Sequence, residues 1–159
     1  MELNVTNMGA EEAGKIKDLP ENTVLISING TEGRELSKLD LDRNNSKILT
    51  VRFDDVTSSS GCGIFSNKVI DDKTSLQMVK FIEENKNKNF IVHCAAGISR
   101  SGATALYIHL FYGHKLKKDF WRVSYPNKYV IGSLVRNKLY HLDYCVGKEF
   151  CHDIFSEIF

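Results

Sequence analysis

Cys94 and Arg100 stand six residues apart across Ala95, Ala96, Gly97, Ile98 and Ser99, a run of small and polar residues with a glycine at its centre. A tight loop at the C-terminal end of a parallel strand, leading into a helix, aims backbone N–H groups and the positive end of the helix dipole at one point. A phosphate dianion suits that point. In a circular turn the thiol lies beneath the anion while the guanidinium grips two of its oxygens as a fork. The same field acts on the sulfur, because thiols at helix N-termini or beside cations ionise more readily than free ones. Cys94 is therefore expected to be a thiolate nucleophile at neutral pH.

The flanking sequence supplies the elements such a loop needs. Phe90-Ile-Val-His93, preceded by a polar stretch over 85–89, reads as a central strand buried on both faces. From Gly102 onward, Ala103, Leu106, Tyr107 and Leu110 fall at i, i+3, i+4 and i+7, the stripe of an amphipathic helix that Gly113 ends. Upstream, residues 23–28 read as a strand closed by Asn29-Gly30, residues 48–53 as a second strand, and residues 72–84 as a helix burying Met78, Val79 and Ile82. Asn7 is expected to cap a short helix over 10–16. Further helices are expected over 117–122, over 128–143 with Ile131, Leu134, Val135 and Leu139 inward, and near the C-terminus. Strands alternating with helices predict an α/β three-layer sandwich, a mostly parallel central sheet flanked by helices. With no internal repeat, no linker and only Pro20 and Pro126 as prolines, residues 1–159 are expected to form a single domain.

His93-Cys94-Ala-Ala-Gly-Ile-Ser-Arg100-Ser101-Gly102 resembles the His-Cys-x5-Arg-Ser/Thr signature of the Cys-based protein tyrosine phosphatase superfamily, and its Ala-Gly-Ile-Ser-Arg-Ser run is similar to the dual-specificity branch. The resemblance extends over residues 23–144. It implies the phosphotyrosine protein phosphatase-like fold and a general-acid aspartate on a loop after an upstream strand. Asp55 takes that place in Val51-Arg-Phe-Asp-Asp55, in preference to Asp54. Asn127 of Tyr125-Pro-Asn127 resembles an asparagine that braces the phosphate loop.

On this resemblance Cys94 attacks phosphorus while Asp55 protonates the leaving oxygen, and Asp55 then activates water against the phosphocysteine. The amides of Ala95, Ala96, Gly97, Ile98, Ser99 and Arg100, with the Arg100 side chain, hold the equatorial oxygens. Ser101 helps the sulfur leave, and His93 supports the thiolate or orders the loop as a core histidine. No metal or other cofactor is implied, since loop, arginine and helix terminus already supply the positive charge.

The loop interior has no lysine or arginine besides Arg100, which disfavours highly phosphorylated lipids and inositols and favours a single phosphate. The expected substrate is a phosphorylated protein or peptide, with phosphotyrosine and also phosphoserine or phosphothreonine accepted in a shallow pocket. Two alternatives are a phosphate-binding module with little or no turnover and a phosphatase of RNA 5′ ends. A sulfurtransferase of the rhodanese type also uses a loop cysteine, but lacks this Cys-x5-Arg-Ser pattern.

Bulk properties place the partner's recognition in a local site. Twenty-one Lys and Arg against 20 Asp and Glu give a net charge of +1, so no global field draws the chain to nucleic acid or an anionic membrane. No stretch approaches the roughly 18 to 20 apolar residues of a membrane span, and residues 1–18 are polar. A soluble cytoplasmic protein is expected, a monomer by default. Cys62, Cys145 and Cys151 are too irregularly spaced for a disulfide framework. His141, Cys145, Cys151 and His152 lack a close Cys-x2-Cys pair for a metal. Residues 40–51 begin like a calcium loop but have Asn45 and Val51 where the glycine and the bidentate glutamate belong.

Overall fold

The computed structural model describes residues 2–31, 46–56 and 68–141. Five strands, β1 (Asn4–Gly9), β2 (Thr23–Asn29), β3 (Ile48–Arg52), β4 (Asn89–Cys94) and β5 (Lys115–Leu116), form one sheet in the order β3-β2-β4-β1-β5. Every pair is parallel. The helices are α1 (Ala10–Ala13), α2 (Asp72–Glu84), α3 (Arg100–Tyr112), α4 (Phe120–Val123) and α5 (Lys128–His141).

Parallel strands need both faces covered, and each strand here supplies one residue set to each side. Val24, Ile26 and Ile28 of β2, Leu49 and Val51 of β3, and Phe90 and Val92 of β4 meet α2, α3 and α5 in the larger core. On the opposite face Met8, Leu25 and Ile91 pack with Ala13 of α1 and with Ile16 and Leu19. The layers are thus helix, sheet, helix, as the alternation of elements predicts, with α1 a small cover on one side.

The chain builds outward through β2 and β3, returns to the centre at β4, and then leaves by β5 on the far edge beyond β1. The direction of winding reverses at β4. Open α/β sheets bind ligands outside the carboxyl end of the strands at such a point, and Cys94 is the last residue of β4.

The segment around Asn7 departs from its sequence reading. Asn7 does not cap a helix; it lies within β1, paired with Val92, and the helix that follows is confined to Ala10–Ala13. The run Asn4-Val-Thr-Asn-Met-Gly9 carries a weak local strand signal, and pairing along β4, about 85 residues distant, decides its conformation. Similarly, β5 is too short to register in a pattern, and the helix expected over 117–122 is the single turn Phe120–Val123. Leu110, assigned to the inward stripe of α3, is exposed because α3 buries its whole circumference from Arg100 to Ile108 and only then emerges. In contrast, α2 spans the expected residues, and Asp71 caps it by accepting from the Thr74 amide at 2.7 Å. Cys62, Cys145, Cys151, His152 and residues 40–45 lie outside the described residues.

The three long helices are joined at Glu83 of α2. Its carboxylate accepts from Lys86 at 2.7 Å, from the Tyr112 hydroxyl of α3 at 2.7 Å and from Lys138 of α5 at 3.3 Å. Hydrogen bonds from Lys86 and Tyr112, with the Lys138 charge, outweigh partial burial and pull its pKa from 4.5 to about 2. A carboxyl depressed on folding contributes stability that is fully present above its unfolded value and is lost as pH falls toward its folded value. Glu83→Gln is expected to cost about 1 kcal/mol at pH 7 in this partly exposed network and to flatten the loss of stability between pH 4.5 and 2. Urea unfolding at pH 7 and pH 3 checks this; an unchanged acid slope in the variant would contradict it.

Candidate active site

The loop between β4 and α3 turns through Gly97, whose φ of 74° lies in the left-handed region. Four of its carbonyls are held from outside. Ala95 O accepts from the Ala10 amide at 3.1 Å, Gly97 O from Asn7 Nδ2 at 2.7 Å, Ile98 O from the Tyr125 amide at 3.3 Å, and Ser99 O from the Asn127 amide at 3.2 Å. A peptide whose C=O points outward points the following N–H inward. Among the described residues, no acceptor takes the backbone N–H groups of residues 95–100. The loop is therefore a ring of converging donors facing its own centre.

Two features of α3 add to that field. Ser99 stands at the N-cap but its hydroxyl makes no capping bond, so the amides of the first turn remain available. Arg100 follows, a residue only 7% exposed, with Nη1 donating to Phe53 O at 2.7 Å. Its Nε has no partner among the described residues. One edge of the guanidinium is thus fixed by the end of the β3 segment, and a donor remains for an anion.

Cys94 lies beneath, 2% exposed, with Sγ 3.2 Å from the Ser101 hydroxyl. His93 is fully buried, level with Ser27 of β2 and Met8 of β1, and strand alternation sends its side chain to the sheet face opposite the Cys94 side chain.

The two aspartates after β3 have different surroundings. Asp54 accepts from the Thr31 amide at 2.9 Å, the Thr31 hydroxyl at 2.7 Å and the Lys68 amide at 2.8 Å, while its own amide donates to Lys68 O at 2.7 Å. Burial works against its ionisation, but the Thr31 and Lys68 hydrogen bonds and the Arg100 charge outweigh it and hold the carboxyl below the usual range. Asp54 closes the neck of the segment between residues 54 and 68. Asp55, immediately beyond that neck, is exposed and turns toward the β4–α3 loop. Its Oδ1 accepts from Ser99 Oγ at 2.7 Å and from Asn127 Nδ2 at 2.8 Å. Both donors fall on Oδ1, and Oδ2 has no partner among the described residues.

The chain matches no protein-family model and no curated protein sequence. Among solved structures it is similar to a human tyrosine phosphatase-like serine/threonine/tyrosine-interacting protein, at 20% identity over 76% of this chain and 78% of that one, with a TM-score of 0.48. It is also similar to Tk-PTP in its active form, at 15% identity over 97% of this chain and 90% of that one, with a TM-score of 0.41. A third is OH1 of the Orf virus, a tyrosine phosphatase with triple substrate specificity, at 16% identity over 92% and 91%, with a TM-score of 0.34. These are likenesses in the course of the chain. What the site does is carried by its own residues.

The structure brings Cys94, Arg100, Ser101, Asp55 and Asn127 together around the loop. Asn127 does more than brace it. Its Oδ1 caps α5 by accepting from the Tyr129 and Val130 amides, its backbone supports Ser99, and its Nδ2 holds Asp55 and Val56 O. One side chain thereby couples helix, phosphate loop and candidate acid. Asn7 is the residue that sequence reasoning misplaced. Fully buried in β1, it donates both to Gly97 O and, at 2.9 Å, to Ser124 Oγ, tying the loop to the turn before α5. A polar residue in a strand that ends on Gly9 is the available signal, since the Ala95 carbonyl lies only 3.3 Å from where a Gly9 Cβ would be.

Proposed function

We propose that the chain is a Cys-dependent phosphatase that hydrolyses phosphomonoesters on proteins, phosphotyrosine first and phosphoserine or phosphothreonine as well, through a phosphocysteine. The observation that carries the reading is the loop itself: its carbonyls are bonded outward, its amides converge, Cys94 lies below and Arg100 Nε faces no described partner. Such a cradle neutralises the spreading negative charge of a phosphoryl group in transfer.

Cys94 Sγ forms a bond to phosphorus as the ester P–O bond breaks, and Asp55 delivers the proton on Oδ2 to the departing oxygen. Water then attacks phosphorus from the vacated side, Asp55 takes its proton, and the S–P bond breaks to return the thiolate. Ser101 donates toward the sulfur as it leaves. The cytoplasm, where thiols stay reduced, suits a mechanism resting on a free cysteine.

Leaving groups of different basicity test the acid. Phenolate needs a proton to depart and p-nitrophenolate hardly does. Asp55→Asn is expected to lower kcat for phenyl phosphate by about 10² to 10³-fold, and much less for p-nitrophenyl phosphate. Asp54→Asn loosens the neck instead and should affect both substrates alike. Steady-state kinetics at pH 6 to 7 reads the contrast. Phosphate binding without turnover of either ester by the unmodified chain would replace this reading with a phosphate-binding module.

A further inference from the structure

The turn that supports the phosphate loop carries side chains the chemistry does not use. Tyr125, 76% exposed, donates its amide to the carbonyl of Ile98, itself 38% exposed at the loop. Two residues later Asn127 reaches Asp55, so Tyr125 belongs to the segment that touches both the loop and the candidate acid. Trp121, 69% exposed, precedes it on α4, its ring packed edge-on against buried Phe120 at 5.0 Å. Large aromatic side chains left in water on the segment bonded to this loop mark a contact surface.

Charge is concentrated on the same segment. Residues 115–128 hold five Lys or Arg and one Asp, against a net charge of +1 for the whole chain. Lys115 pairs with Glu2, and Lys117 donates to Asn7 O. Lys118 and Arg122 lie exposed, flanking Trp121 in sequence. Sequence-tolerant nucleic-acid grooves run cations and stacking rings along several nucleotides, about 4 to 16 per site in single-strand binders. This cluster is confined to one short segment, residues 118–125, and suits a few peptide residues rather than a run of nucleotides.

Resting on the reading that the loop receives a phosphoryl group, we propose that Trp121, Tyr125 and the cations Lys118 and Arg122 form a specificity lip that selects phosphotyrosine peptides bearing acidic and apolar residues beside the phosphotyrosine. The acidic residues meet Lys118 and Arg122, and the apolar one lies against Tyr125 and Ile98.

Trp121 is the chain's only tryptophan, so its emission reports this lip directly. The experiment titrates Cys94→Ser, which binds without turnover, with two phosphotyrosine peptides that share one leucine and have either Glu or Lys as the other neighbours. A 5′-phosphorylated oligoribonucleotide is titrated in parallel. The Glu peptide is expected to change the emission saturably and to bind about tenfold tighter than the Lys peptide. Adding Lys118→Glu and Arg122→Glu should erase that preference, and Tyr125→Ser should weaken both peptides about threefold to tenfold. Equal affinity for the two peptides overturns the proposal. So does a preference that survives the charge reversals, or tighter binding of the oligonucleotide than of the Glu peptide. Turnover of aryl phosphate by the unmodified chain is measured separately: its absence alongside a peptide preference removes the phosphatase reading and keeps the lip, while turnover without a preference removes the lip alone.

Discussion

Cys94→Ser is expected to reduce kcat for a small aryl phosphate by about 10⁴-fold or more while leaving the affinity for inorganic phosphate within a few-fold. Binding and bond formation are separable here because different atoms carry them. In the proposed reaction the amides of residues 95–100 and the Arg100 guanidinium hold the anion, and none is disturbed by exchanging sulfur for oxygen on a side chain that is already buried. A serine hydroxyl, however, is not ionised near neutral pH and is a poor nucleophile without an adjacent base. Among the described residues its side-chain hydrogen-bond partner is the hydroxyl of Ser101, which supplies none. Arg100→Lys is expected to give a different pattern: an ammonium keeps the charge but cannot hold Phe53 O with one nitrogen and present a fork with the others, so phosphate affinity and kcat both fall. Calorimetric titration with phosphate and steady-state kinetics separate the two patterns. Cys94→Ser retaining a tenth of the activity would remove the nucleophile from its assigned role.

What the sequence discloses is local, and what it conceals is long-range. The strand around Phe90, the helix from Asp72 and the glycine that ends α3 each follow from a few adjacent residues, so period, cap and breaker are readable in place. The spacing of Cys94, Arg100 and Ser101 is legible for the same reason, because one loop and one helical turn contain it. Asn7 is not, since its partners Gly97 and Ser124 are 90 and 117 residues away. Within its own neighbourhood a helix cap is the better reading, and only the sheet turns it toward the loop. The two aspartates lie between these cases. Sequence places both after β3, but the neck made by Thr31 and Lys68 turns Asp54 away and Asp55 inward.

Gly97→Ala is expected to be the most damaging substitution that leaves every reacting side chain in place. A Cβ at Gly97 would lie 2.4 Å from the Gly9 nitrogen and from the Met8 carbonyl carbon, and 2.8 Å from the Met8 oxygen. All three are backbone atoms of β1, which is bonded to β4 on one side and β5 on the other and has no freedom to retreat. The loop must lift instead. Lifting breaks the bond from Asn7 to Gly97 O, rotates the peptide planes that aim the amides inward, and shifts Arg100 relative to Phe53. The left-handed φ adds a second cost of about 1 kcal/mol for any residue with a Cβ. Gly113 isolates that second cost, having φ 72° but no atom within 4 Å of its would-be Cβ. Gly113→Ala should therefore lose about 1 kcal/mol of stability with phosphate affinity unchanged. Gly97→Ala should lose about 2 to 4 kcal/mol, with phosphate affinity falling by about a hundredfold or more. Urea unfolding and phosphate titration of the two variants side by side measure the difference. Equal behaviour would mean that the loop tolerates displacement from β1 and that its donors are not held in place by the sheet.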